Sequence, residues 1–173
     1  MTDNAAPTRP ALRVAILTVS DRSSRGERPD RSGPALAEVI RQHNWQVAEI
    51  GLVPDEPQAI QIRLLEWCAS GQIDLILTTG GTGFAPRDIT PEATQAVIQR
   101  AAPGLAEAMR LESLQVTPHA MLSRGIAGIR DRTLIVNLPG SPKAAVENLA
   151  TILPVLPHAI ELLQEDPSAE KNH

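Results

Sequence analysis

Three glycines fall within four residues in Thr78-Thr79-Gly80-Gly81-Thr82-Gly83-Phe84-Ala85-Pro86-Arg87-Asp88, shortly before Thr90-Pro91-Glu92. A run with so few Cβ atoms lets the backbone turn sharply and bring its N–H groups against an anion such as a phosphate. No Gly-Lys-Ser/Thr follows, so the segment is not a P-loop, and it lacks the third glycine of a dinucleotide fingerprint. A tight strand-to-helix turn accounts for the same residues equally well. Thr90-Pro91-Glu92 reads as a plain helix start, with a cap, an early proline and an acid in the first turn.

Two aspartates share the neighbourhood. Asp88 closes the glycine segment and Asp55 lies in Val53-Pro54-Asp55-Glu56-Pro57. Carboxylates are hard oxygen ligands suited to a Mg²⁺ ion that also bridges phosphates. Each also has a purely structural reading: Asp55 as N-cap of the helix carrying Ile60, Asp88 as a surface partner of Arg87. A third segment, Asn137-Leu138-Pro139-Gly140-Ser141-Pro142-Lys143, presents a Pro-Gly turn, a Ser cap and a helix N-terminus whose free N–H groups suit an anion. A fourth, from Thr18-Val19-Ser20-Asp21-Arg22 through Pro29-Asp30-Arg31-Ser32-Gly33, reads as a long polar loop of alternating charge. It offers hydroxyls, carboxylates and guanidinium groups. The four histidines have no metal-ligand spacing with each other or with Cys68, and no Gly-x-Ser-x-Gly elbow occurs.

These segments must be held by something, and the pattern between them alternates. Leu12 to Val19, Val47 to Val53, Ile73 to Thr78 and Thr133 to Asn137 are apolar, β-rich runs of the kind covered on both faces. Between and after them, Leu36, Val39 and Ile40, then Ile60, Leu64, Trp67 and Cys68, then Val146, Leu149, Ala150 and Leu153, and finally Leu156, Ile160 and Leu163 recur at helical spacing. Strands alternating with helices imply right-handed crossovers and a mostly parallel α/β sheet. Ligands then bind outside the carboxyl ends of the strands, where all four segments fall.

Composition narrows the function. The 173 residues carry 16 basic and 20 acidic side chains, for a net charge of -4, with one Phe, two Trp and no Tyr. An acidic chain with few aromatics is a poor nucleic-acid binder, so no nucleic-acid partner is expected. No apolar run of membrane-spanning length and no signal-peptide core stand out, so no membrane and a cytoplasmic location are expected. Residues 1–10 read as a disordered lead, 11–165 as one domain and 166–173 as a flexible tail.

The segments together resemble one family. Thr-Val-Ser-Asp-Arg at 18–22, Pro-Asp-Arg-Ser-Gly at 29–33, Val-Pro-Asp at 53–55, the long glycine motif at 80–94, Leu-Ser-Arg at 122–124 and Asn-Leu-Pro-Gly-Ser-Pro at 137–142 are similar to the MogA/MoaB molybdopterin-binding proteins and the gephyrin G domain. The resemblance spans about residues 12–164 and implies a three-layer αβα sandwich assembled as a homotrimer. It implies transfer of AMP from MgATP to the phosphate of molybdopterin, with Asp55 and Asp88 catalytic and holding Mg²⁺. Ser20, Asp30 and Ser123 match positions lining the pterin and phosphate site. Asp21, Ser32, Gly80, Gly81, Thr82, Gly83, Pro139, Gly140 and Ser141 complete the expected substrate contacts. Molybdopterin synthase and a molybdate insertase are the implied transient partners. Relatives that bind molybdopterin without adenylylating it, and a trimeric scaffold, are the alternatives, and the presence of both aspartates favours the active form. A related pyrophosphatase-type enzyme is disfavoured by the length of the chain, since it normally carries a further domain.

Overall fold

The structure is a computed structural model that describes residues 11–165; the expected lead and tail lie outside the described residues. Four strands run parallel, β1 (Arg13–Val19), β2 (Gln46–Val53), β3 (Leu75–Thr79) and β6 (Thr133–Leu138), and the sheet order is β2-β1-β3-β6-β5-β4. The two remaining strands, β4 (Arg100–Ala101) and β5 (Ala127–Arg130), are antiparallel. The composite is an α/β three-layer sandwich with a largely parallel sheet.

The strands sort their side chains by alternation. Val14, Ile16, Leu75, Leu77, Leu134, Val136 and Leu138 face one layer, while Ala15, Leu17, Val19, Ile76 and Ile135 face the other. Buried on both faces, these strands read as continuous apolar runs rather than alternating ones. The first layer packs α2 (Ser32–Gln42), α5 (Pro103–Leu114), α6 (Pro142–Ile152) and α7 (Leu156–Leu163). The second packs α3 (Pro57–Ala69) and α4 (Thr90–Gln95) through Ile60, Leu64, Trp67, Cys68 and Ala93.

Several expectations are corrected. The polar loop after β1 begins with a short helix, α1 (Asp21–Ser24), because the Ser20 hydroxyl accepts from Ser23 N–H and caps it. The antiparallel hairpin β5–β6 closes through Asp131 at φ 51°, and β5 is short enough to carry no clear periodic signal. The run Pro142–Leu163, α6 and α7 joined by a 3-10 turn, has 22 residues, and an 18-residue window within it reaches a mean hydropathy of 1.2. It therefore meets, by length and composition alone, the criterion for a membrane span that no run was expected to meet. Its Ala145, Leu149, Ile152, Leu156 and Ile160 belong to the sheet-facing core, which is why it is apolar.

A parallel sheet with β2 and β3 on opposite sides of β1 has its topological switch point between β1 and β3. Neighbouring connections leave in opposite directions there and open a crevice.

Candidate functional site

That crevice holds a cavity of about 700 Å³. Its walls come from the ends of four strands: Ser20 and Asp21 after β1, Asp55 after β2, Gly80, Gly81 and Asp88 after β3, and Gly140 and Ser141 after β6. Asp30 and Ser32, from the start of α2, close the side. The cavity thus gathers both catalytic candidates with most of the expected substrate contacts.

Four expected contacts lie elsewhere. Thr82, Gly83, Ser123 and Pro139 line a second, more apolar cavity of about 280 Å³. The glycine segment is the partition, with Gly80 and Gly81 on one side and Thr82 and Gly83 on the other. Arg110, Ser113, His119 and Asn148 also line this second space; no sequence motif marked them. Arg22, Arg28 and Arg31 were likewise not singled out individually, yet all three line the larger cavity.

The glycines are required by close approach. Gly80 has φ 101°, and a Cβ there would overlap the carbonyl oxygen of Val19. Gly81 has φ 65°, and its Cβ would overlap the Thr90 hydroxyl and come 3.1 Å from Asp55 Oδ1. At Gly83 a Cβ would stand 2.8 Å from Asp88 Oδ2. Both catalytic candidates therefore press their carboxylates against the backbone of one loop. Gly140 packs against Gly80, where an added Cβ would be 3.2 Å from Gly80 Cα, so the β3 and β6 loops touch without side chains between them.

Local bonds fix this arrangement. Thr90 is fully buried and donates its hydroxyl to Gly80 O at 2.9 Å, so it anchors the glycine turn. The expectation that it merely caps α4 is corrected: Ile89 holds the cap position and Thr90 is the first helical residue. Asn137 donates to the hydroxyls of Thr78 and Thr94, both at 2.9 Å, and accepts from Ile126 N–H at 3.2 Å. A buried amide so satisfied stitches β3, β6 and α4 together. Thr79 donates to Pro139 O at 2.7 Å, holding the Pro-Gly turn in place. Ser141 caps α6 as expected, accepting from Ala144 N–H at 3.4 Å, and aims that helix N-terminus at the larger cavity.

The acidic groups differ in state. Asp21 takes both arms of Arg87, at 2.9 Å each, which hold its carboxyl below the usual range. Arg87 also pairs with Glu56 at 2.9 Å, so the expected Arg87–Asp88 surface pair does not form. Asp55 does not cap α3; Glu56 holds that position, and Asp55 instead accepts from Asp21 N–H at 2.7 Å. Burial pushes the Asp55 carboxyl up, and the charges of Asp21 and Asp88 add to the shift. Asp88 Oδ2 accepts from Ala85 N–H at 2.9 Å. Asp30 is the most occupied: Oδ2 accepts from Thr18, and Oδ1 from the N–H groups of Ser32 and Gly33 and the Ser32 hydroxyl. It lines the cavity chiefly as the anchor of the α2 start.

Among the described residues no group of three or more His, Cys, Asp or Glu is arranged to hold a metal alone. Mg²⁺ asks for less, taking one or two carboxylates and completing its shell with water and substrate phosphates. Asp55, destabilised as an anion by burial and by two like charges, is the group such a cation would relieve. The donor set fits a hard divalent cation bound together with phosphates.

A switch-point crevice lined by a glycine turn and paired carboxylates is the ligand-site arrangement of open α/β proteins, and comparison with known proteins gives the family. Residues 15–158 match the family described as "probable molybdopterin binding domain". The molybdopterin adenylyltransferase of Helicobacter pylori is 44% identical over 154 residues, covering 88% of each chain. Gephyrin of Dictyostelium discoideum is 47% identical over 166 residues, but the chain spans only 23% of that protein. The crystal structure of the molybdopterin biosynthesis enzyme MoaB from Thermus thermophilus superposes with a TM-score of 0.85 at 56% identity, covering 90% of this chain and 98% of that one. The chain belongs to the MogA/MoaB family of molybdopterin-binding and molybdenum-cofactor biosynthesis proteins, to which the gephyrin G domain is related.

Proposed function

We propose that the chain, through a single domain over residues 11–165, is a molybdopterin adenylyltransferase. The terminal phosphate oxygen of molybdopterin attacks the α-phosphorus of ATP. A new P–O bond forms, the bond from the α-phosphorus to the bridging oxygen breaks, and pyrophosphate leaves. Such a transfer asks for positioning and charge neutralisation more than for covalent work by side chains. The observation that carries the reading is the placement of Asp55 and Asp88 against Gly81 and Gly83 of one loop, in or beside a cavity sized for a nucleotide.

The chain's own groups have distinct tasks. Gly80 and Gly81 bring backbone close to the phosphates, and the capped start of α6 offers further N–H donors at Ser141. Arg22, Arg28 and Arg31, which line the same cavity, counter negative charge there, so an acidic protein can still hold polyanions. Asp55 and Asp88 would hold Mg²⁺, which when bound supplies charge neutralisation at the α- and β-phosphates. The second cavity, lined by Thr82, Gly83, Ser123 and Pro139, is the space for the heterocycle of one substrate, joined to the phosphates across the glycine partition. A homotrimer in the cytoplasm that receives molybdopterin from its synthase and passes the adenylylated product to a molybdate insertase completes the proposal.

The test is pyrophosphate release on mixing protein, molybdopterin and MgATP, with Asp88→Asn run alongside. Release by the wild type and its loss in the variant support the reading. Tight molybdopterin binding without release by the wild type would make the chain a non-adenylylating binder.

A further inference from the structure

Arg124 lies outside the larger cavity, yet it holds the glycine loop at both ends of the stretch leading to Asp88. Its backbone N–H donates to Thr82 O at 2.8 Å and its Nε to Gly83 O at 2.8 Å. One terminal nitrogen donates to the Asp88 carbonyl, and the other pairs with Glu92 on α4. One planar guanidinium thus brackets residues 83–88. Inside the bracket the Asp88 carboxylate folds back onto Ala85 N–H, so its position follows from the loop's course. Arg124 is itself braced: Arg110 on α5 donates to Gly125 O at 2.8 Å, fixing the segment on its far side.

We infer that Arg124 is a positioning residue for Asp88, setting where that carboxylate stands relative to Asp55 and so how well the pair holds a divalent cation. The inference rests on the reading above that these two aspartates bind the metal. Lysine carries the same charge but is a point donor, and it cannot span two carbonyls and a carboxylate at fixed angles. Glu92 supplies only the outer ion pair, so its loss leaves the two carbonyl bonds intact.

The experiment separates positioning from simple stability. Wild type, Arg124→Lys and Glu92→Gln are titrated with Mn²⁺ in the presence of α,β-methylene-ATP, free Mn²⁺ being read by electron paramagnetic resonance, with thermal melting measured alongside. Loosening a carboxylate by about an ångström should weaken Mn²⁺ binding by about tenfold or more in Arg124→Lys and by less than about twofold in Glu92→Gln. In turnover at saturating ATP, the Mg²⁺ concentration giving half-maximal rate should rise in Arg124→Lys and stay near the wild-type value in Glu92→Gln. Wild-type Mn²⁺ affinity in a folded Arg124→Lys, with only its melting temperature lowered, overturns the inference. If that variant does not fold, Arg124→Gln, which keeps an amide donor, is read by the same criterion. Should the wild type release no pyrophosphate, the transfer reading fails while the Mn²⁺ arm still decides the role of Arg124.

Discussion

Asp21 and Asp55 exchange hydrogen bonds: Asp21 N–H donates to Asp55 Oδ2 at 2.7 Å, and Asp55 N–H donates to Asp21 Oδ1 at 3.0 Å. The exchange clamps the carboxyl ends of β1 and β2 side by side. It leaves the two carboxylates unequal, because Arg87 neutralises Asp21 while Asp55 has no comparable cation among the described residues.

That inequality predicts opposite effects on stability and activity. The folded pKa of Asp55 lies above its unfolded value, so the ionised group works against folding at neutral pH. Asp55→Asn keeps an oxygen to accept from Asp21 N–H and removes the charge. Its Tm should exceed the wild-type value at neutral pH, and the gain should vanish below about pH 4, where the carboxyl is protonated folded or unfolded. Pyrophosphate release should drop by about 100-fold or more. A lower Tm at neutral pH would show that the charge is not a burden to the fold.

Asp88 contributes to the upward shift at Asp55, so removing its charge should relax it. In Asp88→Asn the titration midpoint of the Asp55 carboxyl, followed by carbon-13 NMR, should move down toward the ordinary carboxylate range. It should not reach that range, because burial, the larger cause, remains. An unmoved midpoint would place the two carboxylates out of electrostatic reach of one another.

The glycine loop invites a paired comparison. Gly80 and Gly26 both have positive φ, but a Cβ at Gly26 meets nothing, whereas one at Gly80 meets the Val19 backbone. Gly26→Ala should cost only the conformational term, about 1 kcal/mol. Gly80→Ala should cost clearly more and should abolish pyrophosphate release, since the β1 and β3 ends must part. Denaturant melts of the two variants check this.

Far from the cavity, Asp74 ties the opposite end of the sheet together, accepting from Arg13 N–H at 2.8 Å, from the Arg13 guanidinium and from Gln164. Burial would push its carboxyl up, but these bonds outweigh it and hold it below the usual range. Its folded pKa is depressed, so its stabilisation is present above the unfolded pKa and is lost as pH falls through the folded value. Asp74→Ala should cost about 3 kcal/mol near neutrality and less in acid, with activity per folded molecule unchanged. Equal losses at both pH values would argue that packing, not charge, is what Asp74 supplies.

Of the four parallel strands, β1, β3 and β6 were legible because each is buried on both faces and so spells a nearly uninterrupted apolar run, Leu75, Ile76 and Leu77 all being fully buried. The fourth, β2, lies at the sheet edge with Ile50 and Leu52 exposed, and was legible by its β-rich composition instead. The antiparallel β4 and β5 were not, being two and four residues long, too short to establish a period. Thr90 misled for a related reason. Thr-Pro-Glu is a common cap signature, and only the fold shows its hydroxyl turned inward to the Gly80 carbonyl.

Residue types and their order determined the candidate groups: the glycine run, the two aspartates, the Ser-Pro helix start and an alternating pattern that sends the loops after the four parallel strands to one end of the sheet. These are local properties, fixed by which backbone angles and ligands a residue permits. The tertiary structure decided which atoms meet. It split the expected contacts between two cavities, gave Arg87 to Asp21 and Glu56 rather than to Asp88, and set Arg124 behind the loop that carries Asp88. Residues 34 to 66 positions apart in sequence, such as Asp21 with Asp55 and with Arg87, meet only because crossovers bring separate strand ends to one crevice.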